Sequence, residues 1–373
     1  MKGGLFIGLM TGTSVDAIDA ALCRFDDTGI TLINAINAPL TAALQSNIRS
    51  LFEPGNNEIE LLGRLDITLA EAYANAVETL IQCSNVNRDQ ITAIGCHGQT
   101  LRHRPPRRDQ ETAFTLQIGD PNTLATLTGV PVVADFRRKD LTLGGEGAPL
   151  APGFHHYLAR AEVKPLGVLN IGGIANLSVI SASEPELIGF DTGPGNALLD
   201  YWVTKYRGEK HDDKGAWAAQ GTVNPDLLAH FLHHPYFKMP PPKSTGKEEF
   251  STRWLEQVLA DFNANNICDV DIQATLLELS AVSIAEQVRF YSPLQSLYLC
   301  GGGIHNDFLI ARLRAHLPQL DIKSTQTLGV HPDWIEACAF AWLAKKRVDH
   351  ETGNIPAVTG AKRSAILGGL WLP

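Results

Sequence analysis

Two stretches of this chain follow one plan, and that plan decides most of what it can fold into. Residues 5–10 are an apolar run that enters Thr11-Gly12-Thr13-Ser14 and leaves as an alternating segment. In that segment Ile18, Ala20 and Leu22 share one face and Asp19 and Ala21 the other. Residues 166–170 are a second apolar run, which enters Gly172-Gly173-Ile174-Ala175-Asn176 and leaves as residues 177–180. Each reads as a β-hairpin with a small-residue tip. The same unit at the head of each half predicts an internal structural duplication, although side-chain identity between the halves is poor. Glycines at such tips let backbone N–H groups approach an anion. Thr13 and Ser14 add hydroxyl donors, and Asp16 can hold a metal-bound water. An ordinary chain reversal uses the same residue types, so the first tip alone leaves both readings open.

The rest of the chain alternates strands and helices. Leu62, Leu65, Leu69, Tyr73, Val77 and Leu80 recur at helical spacing within residues 59–82. Strands are expected at 30–36, 91–96, 114–118, 130–135, 187–190 and 297–300, and helices at 42–52, 197–205, 252–262, 272–291, 307–316 and 333–348. Asp120 is placed to cap a helix running to about residue 127. Residues 102–111 and 240–247 are rich in proline and basic side chains and read as loops, the second rigid and exposed. The class is α/β, with two duplicated domains whose mixed β-sheets are flanked by helices. The run Gly144-Gly145-Glu146-Gly147-Ala148-Pro149 marks a break. It gives a first domain over 1–140, completed by a tail of about 350–373, and a second over 141–349.

A formal net charge of -9 argues against nucleic-acid and anionic-membrane partners. No apolar run reaches the roughly 20 residues of a membrane span, and the start of the chain turns acidic too soon for a signal peptide. The six cysteines are far apart, with no CxxC pair, and read as reduced thiols. A cytoplasmic location is expected.

Four glycine-rich turns follow apolar strands: 11–14, 172–176, 193–196 and 301–303. Ligands collect at such strand ends in open α/β sheets. Neither a GxxxxGK[ST] loop nor a GxGxxG opening is present, so a phosphate grip would rest on hairpin tips and a helix N-terminus at Asn196. Asp191 lies where a buried strand meets a glycine turn and a helix, a place for a general base. Asp191 could instead cap the turn or the following helix, but Asn196 is the better-placed cap, which favours chemistry at Asp191. Glu336 falls on the apolar face of a helix, as a ligand contact or as half of a buried ion pair. His97 and Gln99 directly follow a strand and could bond sugar hydroxyls; His97 could equally be a satisfied core histidine. Arg137 could hold a carboxylate, whereas Arg138 and Lys139 read as solvated. The doublets His155-His156 and His233-His234 lack a third ligand at metal spacing.

The stretch from Gly8 to Leu22 closely resembles the GLMSGTSLDGVDAAL signature of the anhydro-N-acetylmuramic acid kinase family. Segments 94–100, 135–138, 144–150, 169–177, 191–196, 242–246, 300–303 and 336–344 resemble the same family in order, across nearly the whole chain. The resemblance implies an actin-like ATPase architecture of the sugar kinase type, with a central cleft closing over ATP. It also implies that ATP and water convert 1,6-anhydro-N-acetylmuramic acid into N-acetylmuramic acid 6-phosphate and ADP, in peptidoglycan recycling. Carried over by position, Gly12, Thr13, Ser14, Val15, Asp16, Ala17, Ile18 and Asp19 bind nucleotide. So do Gly172, Gly173, Asn176, Gly193, Gly195, Asn196, Gly301, Gly302 and Gly303. Asp191 is the catalytic base, and His97, Gln99, Arg137 and Glu336 serve the amino sugar. Mg²⁺ is expected with ATP, reached from Asp16 through water, and a homodimer is expected. Thr11, Val15, Ala17 and Ile18 depart from the signature's Ser, Leu, Gly and Val. The competing readings are a kinase acting on a free sugar hydroxyl, a non-catalytic ATP-driven clamp, and a sugar sensor.

Overall fold

The computed structural model describes residues 3–12, 14–106, 112–183, 186–241, 243–245, 249–291 and 293–373. It divides the chain into two compact units, one formed by residues 1–158 and 334–373 and the other by 159–333.

The first unit carries a six-stranded sheet. Its strands are β1 (Gly4–Met10), β2 (Ala17–Asp26), β3 (Gly29–Pro39), β4 (Ile91–Cys96), β7 (Val132–Ala134) and β13 (Gly369–Trp371), in the order β13-β7-β4-β1-β2-β3. A small sheet pairs β5 (Gln99–Arg104) with β6 (Phe114–Ile118). Residues 102–104 are thus strand rather than loop: Leu101 is buried and the ladder with β6 continues past it, which outweighs their basic composition. The expected return of the tail is the antiparallel pairing of β13 with β7.

The second unit carries β8 (Leu166–Ile171), β9 (Ile174–Ile180), β10 (Leu187–Pro194), β11 (Ser296–Cys300) and β12 (Asp321–Ser324), in the order β10-β9-β8-β11-β12. In each unit the opening strand pairs antiparallel with the second and parallel with the fourth. The run β3-β2-β1-β4-β7 therefore repeats as β10-β9-β8-β11-β12, and the duplication legible in the two hairpins extends to five strands.

Each unit has its own apolar core. Helix Glu58–Ser84 buries Leu65, Leu69, Tyr73, Val77 and Leu80 in the first, at the expected spacing. Helix Asp269–Phe290 is buried on nearly all sides in the second, as an apolar helix interior requires. Asp120 accepts from Thr123 N at 2.8 Å and caps helix Pro121–Thr128. Helix Ile335–Val348 packs on β1 and β4. That packing assigns it to the first unit, and helix Ala151–Leu158 goes with it, so the glycine run at 144–149 is a loop inside that unit. No helix of the described residues is long and apolar enough to cross a membrane.

Candidate active site

In the first unit, β4 and β7 end beside one another and deliver His97 and Arg137. Arg137 donates from Nε to His97 Nε2 at 3.0 Å and from Nη1 to Gly147 O at 2.8 Å. The imidazole accepts, so it is neutral with its proton on Nδ1. Burial and the adjacent guanidinium keep it so, well below the usual histidine range. Burial also brings Arg137 down to about 10, against the upward pull of Glu336 and Asp140. Glu336 sits in the first turn of helix Ile335–Val348. It is exposed rather than turned into the apolar face, because Ile335 and Ala337 take the buried directions. Its carboxyl is nonetheless crowded by protein atoms. Burial therefore pushes its pKa up, and Arg137 opposes the rise. Gln99 stands apart: it is fully buried and donates to Thr100 O at 3.0 Å.

A residue with no sequence signal underlies this group. The Asp140 carboxylate is fully buried and accepts from Gly147 N, Asn354 Nδ2 and Thr359 Oγ1 at 2.8, 2.7 and 2.8 Å. It fixes the loop whose Gly147 carbonyl holds Arg137.

The β1–β2 tip divides by exposure. Ser14 and Asp16 face solvent, and Ser14 Oγ donates to Asp16 Oδ1 at 2.6 Å. Val15, Ala17 and Ile18 are buried, so their side chains belong to packing, and any contact of theirs with a nucleotide is through backbone. Val15 holds a φ of 56°, a costly conformation for a β-branched residue. Asp19 accepts from Asn37 Nδ2 at 2.7 Å. Thr13 lies outside the described residues.

In the second unit the glycines serve two purposes. A Cβ on Gly12 of the first unit, or on Gly172, Gly173 or Gly302 here, would meet no heavy atom closer than 3.4 Å. At Gly193, Gly195, Gly301 and Gly303 it would collide with Phe237, Gly172 O, Asn170 and Ile171 respectively, so these four are glycine for packing. Asn176 lies within β9 rather than in the turn. Asn196 occupies the N-cap position of helix Ala197–Arg207, but its side chain makes no capping bond. The N–H groups of Gly195, Asn196 and Ala197 instead donate to Gly173 O, Gly172 O and Gly173 O at 2.9, 2.8 and 3.1 Å. The hairpin carbonyls thus satisfy donors that a helix N-terminus would otherwise offer to an anion.

Asp191 lies inside β10, not at its end, and is half-buried. Its Oδ2 accepts from Thr245 N at 2.8 Å, its backbone N–H donates to Lys243 O at 3.1 Å, and its carbonyl accepts from Tyr236 OH at 2.9 Å. The segment expected to be an exposed loop therefore packs against Asp191, with Lys243 only 4% exposed. Among the described residues no three His, Cys, Asp or Glu side chains gather as a metal cluster.

Residues 4–373 match the family model described as anhydro-N-acetylmuramic acid kinase. The chain belongs to this family. Curated relatives of that name include the protein of Saccharophagus degradans, 47% identical over 373 residues and covering 100% of both chains. That of Shewanella loihica is 48% identical, covering 100% of this chain and 99% of its own. That of Coxiella burnetii is 48% identical, covering 98% and 97%. A solved ROK family glucokinase of Streptomyces griseus is similar over 92% of this chain and 100% of that one, with a TM-score of 0.41 and 12% identity.

Proposed function

We propose that this kinase opens the anhydro bridge of 1,6-anhydro-N-acetylmuramic acid with water and phosphorylates the freed oxygen from ATP, in murein recycling. The observation that carries the reading is the family match over residues 4–373. The substrate's 6-oxygen is tied to the anomeric carbon, so no hydroxyl is available there until the bridge breaks.

In this reading Asp191 takes a proton from water as the water oxygen attacks the anomeric carbon. The bond from that carbon to the bridge oxygen breaks, and the bridge oxygen attacks the γ-phosphorus in line, releasing ADP. Arg137 has Nε committed to His97 and Nη1 to Gly147 O, which leaves Nη2 for the sugar. The neutral His97 then positions Arg137 and exchanges no proton. Room at Gly12, Gly173 and Gly302 supports an approach of nucleotide to backbone. Ser14 and Asp16 fit a hydrated Mg²⁺. Asp16 Oδ1 already accepts from Ser14 Oγ and Ala17 N, so a metal-bound water would fall to Oδ2. Mg²⁺ would neutralise phosphate charge during transfer.

The reaction in ¹⁸O-water tests this, with the product analysed before its reducing end exchanges. Label is expected on the anomeric hydroxyl and not in the phosphate. Label in the phosphate would mean that water attacked phosphorus, and the coupled reaction would be wrong.

A further inference from the structure

One polar atom beside Arg137 is left over. His97 is only 5% exposed and its Nε2 accepts from Arg137, yet its Nδ1–H finds no acceptor among the described residues. A buried donor without a partner is costly. Phe340 covers one face of the ring, with centroids 4.6 Å apart. His97 also borders a cavity of about 210 Å³ in the first unit, which neither Arg137 nor Phe340 lines. The imidazole therefore meets that cavity with the edge that Arg137 leaves free. One water needs roughly 10–15 Å³, and sites for drug-sized molecules begin near about 300 Å³. The space suits a substituent of a ligand rather than a nucleotide.

The walls limit what the occupant can be. Asp66 and Asp135 border the cavity against one cation, Arg138, which is exposed and already lies 3.6 Å from Asp135. Anionic groups are therefore disfavoured. A metal ion is disfavoured by a neutral imidazole that presents an N–H there and no lone pair. The occupant has to accept from Nδ1–H, donate to a carboxylate and cover apolar surface at Ile118, Ala134 and Trp371. An acetamido group does all three, with its carbonyl oxygen, its amide N–H and its methyl. Asp66 Oδ1 accepts from Gly119 N at 2.6 Å, which leaves Oδ2 for the amide.

We infer that this cavity is the subsite for the substrate's acetamido arm, with His97 Nδ1–H on its carbonyl, Asp66 on its N–H and Trp371 beside its methyl. This rests on the reading of the substrate as an N-acetylated anhydro sugar. His97 joins the subsite to Arg137, because one ring nitrogen serves each. An acceptor at Nδ1 also fixes the tautomer that Arg137 requires at Nε2.

The test compares kcat/KM for 1,6-anhydro sugars that carry a 2-acetamido group or a 2-hydroxyl, in wild type, Asp66→Asn and Trp371→Ala, with a thermal melt of each. Wild type should prefer the acetamido sugar. In Asp66→Asn the side-chain carbonyl can still accept from Gly119 N, but an N–H replaces the acceptor offered to the amide. The preference should fall about tenfold. Trp371→Ala should lower the same preference, and it carries the test if the Asn variant does not fold. Equal loss on both sugars, or none, in folded variants would make these residues merely structural and overturn the inference. N-acetylglucosamine that binds at substrate saturation, and binds more weakly to Asp66→Asn while the preference stays put, would place a separate amino sugar there and overturn it too. The same preference read as Kd by calorimetry without ATP keeps the subsite apart from the reaction. A wild type that turned over neither anhydro sugar would remove the proposed reaction, and the two Kd values would still judge the subsite.

Discussion

One extra residue in β10 decides how Asp191 is presented. Asp191 pairs with Asn176 and Gly193 with Ala175, so Thr192 is supernumerary, and its hydroxyl donates to Ala175 O at 3.1 Å. Such a bulge breaks the alternation of faces and re-aims a side chain. Asp191→Asn keeps the shape and removes the proton acceptor. Its kcat should fall about a hundredfold to ten-thousandfold with ATP still bound; near-normal turnover in a folded variant would exclude the role. Arg137 makes a second case. A lysine there cannot serve His97, Gly147 O and a ligand from one planar fork. Arg137→Lys should raise the sugar KM about ten- to a hundredfold, the value of a charged hydrogen bond, and leave the ATP KM in place. Equal changes in both would show that the fold, not a sugar contact, was lost.

At the scale of elements, helix Ile335–Val348 reaches β1 and β4 through two glycines in register, Gly8 and Gly95. A Cβ on Gly8 would strike Ala337 O, and one on Gly95 would strike Phe340 O. Gly95→Ala should therefore push away the helix that carries Glu336 and cost about 1–3 kcal/mol of stability. Urea unfolding measures that cost, and an unchanged midpoint would refute the close approach. The strands and long helices were legible because hydrophobic period is local. These glycines were legible as turn and strand residues, but not as the floor of a helix that lies more than 240 positions along the chain. Asp140 was silent for the same reason: its partners Asn354 and Thr359 are 214 and 219 residues away. Asp191 announced itself by its neighbours in sequence, whereas Lys243 sat in a proline-rich run whose composition suggested solvent.

For the whole molecule, the duplication was readable from two hairpin tips, though its five-strand order was not, yet the two units differ in the charges they bury, and this sets their response to acid. His97, His103 and His155 all lie in the first unit. Burial lowers all three, His103 and His155 to about 4 and His97 well below its usual value, with Arg137 adding to the effect on His97 and His103. Their unfolded values are near 6.5. Between about pH 6.5 and 4 the unfolded chain binds protons that the folded unit refuses. The stability these groups contribute is complete above 6.5 and is lost as pH falls, at up to about 4 kcal/mol per pH unit for three groups together. Asp66, Asp135 and Glu336 in the same unit are raised by burial and oppose this. In the second unit Asp200 is raised to about 6 by burial, so its protonation over the same window favours the folded state. Glu278 is lowered overall: Arg312 and His316 outweigh the opposing effect of burial, and its contribution persists until pH falls below the ordinary carboxylate range. Acid should therefore loosen residues 1–158 and 334–373 before 159–333. Limited proteolysis at pH 7 and pH 5, with an acid-tolerant protease and the cuts mapped by mass spectrometry, should show new cleavage first in the unit that holds the three histidines. Cleavage appearing first within 159–333 would mean that the buried histidines do not govern acid stability.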